Sequence, residues 1–361
     1  MLYPLLRPLV FSFDPEHAHH LALTALRASQ ASPTASMPPL SDPRLTQELW
    51  GLRFPNPVGL AAGYDKNAVA PFAWSMLGFG FAELGTITAQ AQPGNPKPRI
   101  FRLEQDQALI NRLGFNNDGA VAVAHRLARR FSTSRSHAIP LGFNIGKSKI
   151  TPLDQAVDDY IASCEQLFPF ADYLVVNVSS PNTPELRKLQ EPERLARLIE
   201  TLLTTNRRLA ERARSQPKPL LVKIAPDLSD EELTTIARLA VSLRVSGLIA
   251  TNTTITRPTT LRTAIQQEGG LSGRPLAQRA HAVLRFLFRA VEGRLPLIGV
   301  GGIFSAEDAY LRIRAGASLV QIYTGLIYEG PFLPRRIVGG LRTLLTRDGF
   351  GHLREAVGKD V

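Results

Sequence analysis

With 361 residues, 44% of them hydrophobic, the chain has material for one large α/β domain or two smaller ones. A net charge of +11, from 42 basic and 31 acidic residues, fits an anionic partner without choosing among nucleic acid, an acidic substrate and a membrane face. The single cysteine, Cys164, excludes an intramolecular disulfide framework, the seven histidines show no metal-ligand spacing, and no apolar run reaches the roughly 18 residues that would span a membrane. The first residues lack the basic-then-apolar layout of a secretory signal, so a reducing intracellular setting is expected.

Residues 1–40 read as a helical extension, and 41–361 as the main body. Residues 2–11 are apolar and broken by Pro4 and Pro8. Asp14 as N-cap and Pro15 in the first turn then start a helix with Ala18, Leu21, Ala22, Ala25 and Leu26 on one face. The Ser/Pro/Met/Ala-rich stretch 29–40 has the composition of a linker. Spacing alone favours a hairpin packed on the body over an apolar docking site for a membrane or lipid-like molecule.

From residue 57 onward, apolar β-rich runs alternate with helical patterns, at 58–62, 79–88, 141–145, 173–178, 220–225, 247–251, 297–300 and 319–323. Eight such units over roughly 300 residues predict a (β/α)8 barrel, whose active sites lie where the strands end. Those ends carry Ala62-Gly63-Tyr64-Asp65-Lys66, Thr86, Asn144, Lys223, Thr251-Asn252-Thr253, Gly301-Gly302 and Tyr323-Thr324. The fourth empties into Asn177-Val178-Ser179-Ser180-Pro181-Asn182-Thr183-Pro184, whose carboxamides and hydroxyls can bind a flat polar ligand and place one oxygen for proton transfer.

Two insertions follow strand ends. Residues 89–117 contain Asn111-Arg112-Leu113-Gly114-Phe115 and read as a hairpin folded over the barrel mouth; residues 180–192, with Pro181, Pro184, Arg187 and Lys188, read as a lid. Gly302 and the Tyr323-Thr324 pair close the last two strands, where barrels hold phosphate, and Gly273 adds to them. No GxGxxG follows the first strand, so a mononucleotide such as FMN suits better than NAD. Lys223 between Val222 and Ile224 would place a cation where it stabilises the negative pyrimidine edge of a reduced flavin.

These motifs, together with Gly269 to Pro275 and Gly299 to Ile303, resemble the dihydroorotate dehydrogenase family over nearly the whole chain. The resemblance implies an FMN enzyme that oxidises dihydroorotate to orotate in pyrimidine synthesis. Its membrane-associated, quinone-reducing class has an N-terminal helical extension and a serine base where soluble relatives use cysteine. Ser180 stands at the base position, and Cys164 lies before the motif. A peripheral position on the cytoplasmic side of the cell membrane follows, with no metal and no nucleic acid.

Carried over by resemblance, Ser180 removes a proton from C5 while a hydride leaves C6 for the flavin, with a relay through threonine or water to take the serine proton. Lys66 pairs with the substrate carboxylate. Asn111, Asn177, Asn182, Asn252 and Thr253 hydrogen-bond the substrate, and the motif extends this set through Arg112, Leu113, Gly114 and Phe115. The flavin is implied to lie against Ala62, Gly63, Tyr64, Asp65, Lys66, Thr86, Asn144, Asn177, Lys223 and Thr251, with Gly273, Gly302, Tyr323 and Thr324 at its phosphate and ribityl oxygens. His19 and Arg102 are the polar candidates in a quinone tunnel, with Tyr323 at its inner end. The alternatives are a flavin barrel with a soluble acceptor or another dihydropyrimidine, which serine at position 180 disfavours, and a non-catalytic basic barrel binding RNA, which the scattered arginines disfavour.

Overall fold

The computed structural model describes residues 3–30, 38–132, 137–264 and 266–361. The expected linker at 29–40 falls largely on residues 31–37, outside the described residues. In chain order the strands are β1 (Gln47–Leu49), β2 (Leu52–Phe54), β3 (Val58–Leu60), β4 (Phe81–Ile87), β5 (Ile100–Leu103), β6 (Ala108–Asn111), β7 (Leu141–Ile145), β8 (Tyr173–Asn177), β9 (Leu220–Ile224), β10 (Gly247–Ala250), β11 (Gly270–Gly273), β12 (Leu297–Val300) and β13 (Ala317–Ile322).

Strands β3, β4, β7, β8, β9, β10, β12 and β13 close into a parallel barrel in sequence order, with helices outside it. All eight expected runs are there. They read as apolar runs because a parallel barrel strand is covered on both faces, by the interior and by the helices. The eighth starts earlier than expected and leaves Tyr323 beyond its end, because Tyr323 turns the chain (φ −138°, ψ −76°) into the helix Thr324–Glu329.

The floor of the barrel is apolar. Phe54, Phe81, Tyr173, Val175, Leu221, Ile249, Ile298 and Leu319 fill it, and the β1–β2 hairpin plugs the bottom, with Phe54 edge-on to Phe81 at 5.4 Å. Gly59 and Gly142 make room for two of these rings: a Cβ at either would sit 2.2 Å from Phe81 or 2.0 Å from Tyr173. Above that floor the interior turns polar, with Glu83, Asn144, Lys223 and Gln321 all buried.

At the open end, β5 and β6 form the expected hairpin, and β11 joins it as a third antiparallel strand. Gly-Leu-Ser-Gly carries no strand alternation, and Gly270 is needed because a Cβ there would meet the Thr253 hydroxyl at 1.9 Å. The segment 180–192, read as a lid, holds a 3₁₀ turn over Leu186–Gln190. Arg187 donates to the Ser179 carbonyl (3.1 Å), the Asp227 carboxylate (2.9 Å) and the Thr253 carbonyl (3.3 Å).

The extension forms α1 (Tyr3–Ser12) and α2 (Pro15–Ser29). Asp14 caps α2 as expected, accepting from the Glu16 and His17 N–H groups. Pro8 was expected to break the first segment but lies inside α1, where it forfeits one i→i−4 bond of a short helix. The Tyr3 hydroxyl donates to the Ile327 carbonyl (2.5 Å), and Arg102 donates to the Phe11 and Phe13 carbonyls (2.9 and 2.8 Å).

Glu16 of α2 accepts a bidentate pair from Arg99 at 3.0 and 2.6 Å, with both side chains under a tenth exposed. Burial pushes the Glu16 carboxyl up, but the Arg99 hydrogen bond and charge outweigh it, and the net direction is down. Replacing Arg99 with alanine strands the carboxylate, with Lys97 at 3.6 Å, His20 at 3.9 Å and the more distant Lys66 charge offsetting part of the loss. A cost of about 3 kcal/mol is expected, read as faster tryptic cleavage at Arg27 while the barrel keeps its resistance.

Candidate active site

The carboxyl ends of the barrel strands converge on a cavity of about 1110 Å³, counted to its open mouth, roofed by the three-stranded sheet. It brings together Ala62, Gly63 and Lys66 after β3, Thr86 on β4, Asn177, Ser180 and Asn182 at the end of β8, and Lys223 on β9. Thr251, Asn252 and Thr253 follow β10, Gly302 follows β12, and Tyr323 and Thr324 follow β13. The roof contributes Asn111, Leu113, Gly114, Phe115 and Gly273.

One carboxylate organises the depth of this cavity. Glu83, fully buried on β4, accepts from Asn144 Nδ2 at 2.6 Å, Lys223 Nζ at 3.2 Å and Gln321 Nε2 at 2.5 Å. Asn144 in turn accepts from Thr86 Oγ1 and from Asn177 Nδ2 (3.1 Å), and Asn177 Oδ1 accepts from the Ser179 hydroxyl at 3.1 Å and Asn252 Nδ2 at 3.4 Å. Six barrel strands, β4, β7, β8, β9, β10 and β13, are thereby tied to one another, which fixes the rotamers of the amides lining the wall. Glu83 and Gln321 escaped the sequence reading. The available signal was a carboxylate or carboxamide side chain inside each of two strands whose other residues are apolar or small.

Ser180 is buried, and its hydroxyl accepts from the Asn182 N–H at 3.3 Å. Asn182 Nδ2 reaches Asn111 Oδ1 at 3.1 Å, linking the serine turn to the roof. Three residues past Ser180, the Thr183 hydroxyl is buried without a partner. Lys66 is held down at about 8, first by burial and then by the Arg99 charge, with Glu16 and Asp65 opposing.

Four of the expected residues stand elsewhere. Asn144 lies behind the wall, its amide consumed by Glu83, Thr86 and Asn177. Arg112 turns outward, donating to Gln267 Oε1 (2.6 Å) and the Pro98 carbonyl (2.9 Å) with its guanidinium over the Phe101 ring. Asp65 spends its two oxygens on the Val69 and Ala70 N–H groups at 2.8 and 2.9 Å, shaping the turn that presents Lys66. Tyr64 is wedged edge-on among His19, Trp74 and Tyr323 at 4.9, 5.4 and 5.5 Å and faces a second cavity. Cys164 lines neither cavity; burial pushes its thiol up to about 12.

The second cavity, about 2020 Å³ to its mouth, runs between α1, α2 and the barrel, walled mainly by apolar residues such as Val10, Phe11, Leu23, Leu26 and Leu77. His19 and Arg102 both line it. Burial, then the charges of Lys66 and His20, hold His19 well below its ordinary value, so its imidazole is neutral. The two cavities share Lys66, Ile100, Leu109, Leu113 and Tyr323 as a common wall.

The first cavity fits a flavin. The Gln321 Oε1 atom is buried without a partner beside the Lys223 ammonium, in position to meet a polar ring edge. Gly273 and Gly302, at φ +94° and +70°, line the same cavity and have no room for a side chain, since a Cβ would strike the Gln107 carbonyl at 2.3 Å or Ala277 at 2.4 Å; bare backbone of this kind at the strand ends suits a phosphate.

A closed parallel barrel whose strand ends carry a polar cavity of this composition defines a (β/α)8-barrel enzyme. Residues 44–345 match the family model described as dihydroorotate dehydrogenase. The chain is 54% identical over 361 residues to the dihydroorotate dehydrogenase (quinone) of Gloeobacter violaceus, covering 99% of this chain and 98% of that protein. It is 52% identical to the protein of the same name from Acidithiobacillus ferrooxidans, covering 99% of each. The crystal structure of DHODH from Eimeria tenella in complex with ferulenol superposes with a TM-score of 0.89 at 42% identity, over 96% of both chains. The chain belongs to the dihydroorotate dehydrogenase family.

Proposed function

We propose that this protein oxidises dihydroorotate to orotate in pyrimidine synthesis, with FMN as resident cofactor and a membrane quinone as final acceptor. The observation that carries the reading is the pair of cavities, one bringing the hydrogen-bonding side chains of Ser180, Lys66 and four asparagines together and one mainly apolar under the N-terminal helices, meeting at a shared wall.

In this reading the Lys66 ammonium and the amides of Asn111, Asn177, Asn182 and Asn252 hold dihydroorotate by its carboxylate and its alternating ring donors and acceptors. Thr253 closes the same edge. Ser180 takes the C5 proton. A serine of ordinary acidity is a weak base, so its own proton needs a receiver, and the buried Thr183 hydroxyl three residues on, which has no partner of its own, would take it through an intervening water. FMN, when bound, supplies the acceptor for the C6 hydride and hands both electrons to the quinone. Lys223 sets a positive charge at its pyrimidine edge, Ala62, Gly63, Thr86 and Thr251 contact the ring, and Gly273, Gly302, Tyr323 and Thr324 hold the phosphorylated tail.

The helices of residues 1–40 then serve as the docking unit. Leu5, Leu6, Leu9, Phe13 and Leu21 point outward, at 44 to 80% exposure, and would enter the interfacial layer of a membrane. No described helix is long and apolar enough to cross one; the attachment in this reading is peripheral, on the cytoplasmic face. Anaerobic addition of dihydroorotate should bleach the flavin, and a soluble quinone analogue, but neither fumarate nor NAD, should restore it. A flavin that dihydroorotate leaves coloured would overturn the substrate; recovery with fumarate or NAD would overturn the acceptor.

Lys66 gives the reading a pH signature. With its folded value at about 8, the free enzyme is cationic there at lower pH and neutral at higher pH. Orotate binding should therefore weaken as pH rises through that value, with Kd growing about tenfold per unit. Titration calorimetry between pH 6 and 10, as an approximate working span, checks this, and in Lys66→Met the slope should vanish.

A further inference from the structure

Away from both cavities, positive charge collects at one place. On α3 (Ala120–Phe131) Ala122, His125, Arg126, Arg129 and Arg130 fall on one helical face, and Arg27 from the last turn of α2 joins them around a surface depression. Arg126 is tied to the Asn67 carbonyl and to the Asp118 carboxylate. Burial and then the charges of Arg27 and Arg126 hold Arg130 below the ordinary arginine value, so these guanidinium groups are close enough to repel. Like charges at i,i+3 and i,i+4 destabilise a helix unless an anion sits among them. Arg27 and Arg129 are exposed and form no ion pair among the described residues.

The position of the cluster narrows the anion. Arg27 also lines the second cavity, so the basic depression and the apolar tunnel share a wall at the end of α2. The outward leucines of α1 and α2 belong to the same helical unit. An apolar rim beside a guanidinium cluster matches a phospholipid, whose chains bury the rim while its phosphate meets the arginines.

We propose that Arg27, Arg126, Arg129 and Arg130, with His125, form a site for the phosphate of an anionic phospholipid headgroup, filled when α1 and α2 enter the bilayer. The inference rests on the membrane reading above and adds a lipid preference to it. The cluster is assembled from two segments about a hundred residues apart, so it cannot be read from residues 1–29, whose only arginines or lysines are Arg7 and Arg27.

Flotation of the full chain with phosphatidylcholine vesicles, and with vesicles containing about a third phosphatidylglycerol, tests it. The protein should favour the anionic vesicles, and each charge removed in Arg129→Gln and in Arg27→Gln/Arg129→Gln should cost about fivefold in that binding, with the thermal midpoint unchanged. Arg207→Gln/Arg212→Gln, the same charge removed from the helix Pro192–Ala213, should cost far less. Equal binding of the unaltered protein to both vesicles, or an equal loss in that control, would overturn the site. Displacement by millimolar inorganic phosphate, on the order of its usual buffer range, would overturn the lipid as its source. Failure to float with either vesicle would sink the membrane reading and the site together, a result kept apart from failed chemistry by the flavin bleaching assay.

Discussion

Ser180→Ala should slow flavin bleaching by dihydroorotate by about 10²- to 10⁴-fold, the usual worth of one positioned proton acceptor. Its hydroxyl accepts only the Asn182 N–H in the structure, so its removal disturbs little else. Orotate affinity and flavin content should stay near those of the unaltered protein, because Lys66, the amides and the phosphate cradle are untouched. Stopped-flow absorbance at saturating dihydroorotate measures the loss directly. Reoxidation of chemically reduced enzyme by a quinone analogue should proceed at its normal rate, since that half of the turnover takes no proton from C5. Bleaching within a few-fold of normal would remove Ser180 from the chemistry. A bleaching defect accompanied by a matching loss of orotate binding would make it a binding group instead.

The second large effect falls on the buried ion pair. In Lys223→Met, Glu83 keeps its bonds from Asn144 and Gln321 but loses its only cationic partner while fully buried. Removing one member of such a pair costs about 3–5 kcal/mol, or a fall in thermal midpoint of about 4–7 °C for a domain of this size. Flavin bleaching should also slow, because the charge at its pyrimidine edge is gone. The two effects separate in Lys223→Met/Glu83→Gln. Neutralising both partners should recover most of the stability and none of the bleaching rate. Recovery of both would make Lys223 a structural lysine.

Most of the site was legible because the barrel places chemistry by a simple rule. Thr86, Asn177, Lys223 and Thr251 each stand at the end of an apolar β-rich run, and strand order alone sends them to one mouth. Neighbours in a motif did not follow so easily. Lys66 and Asp65 are adjacent, yet one lines the cavity and the other turns back on the Val69 and Ala70 amides, a choice made by the turn and not by composition. Arg112 sits beside Asn111 but on the opposite face of its segment, where Phe101 and Gln267 receive it. Asn144 faces the interior as strand alternation requires, but Glu83, 61 residues earlier, claims its amide. No local pattern announces a partnership of that range. The same holds for β11, whose Gly270 makes sense only once Thr253 is folded beneath it and whose Gly273 only once the Gln107 carbonyl lies against it.

The wall shared by the two cavities is made of five side chains, with the Tyr323 ring at its centre between Tyr64 and the Gly63 turn. Burial pushes the Tyr323 hydroxyl up to about 12, so it remains a neutral phenol throughout the working range. Under the proposed function the pyrimidine and the quinone occupy separate chambers and do not compete for space, while their half-reactions alternate through the one flavin. A molecule lodged beneath α1 and α2 would then halt turnover without displacing anything from Ser180, and each chamber is free to be reshaped for a new occupant while the other keeps its own.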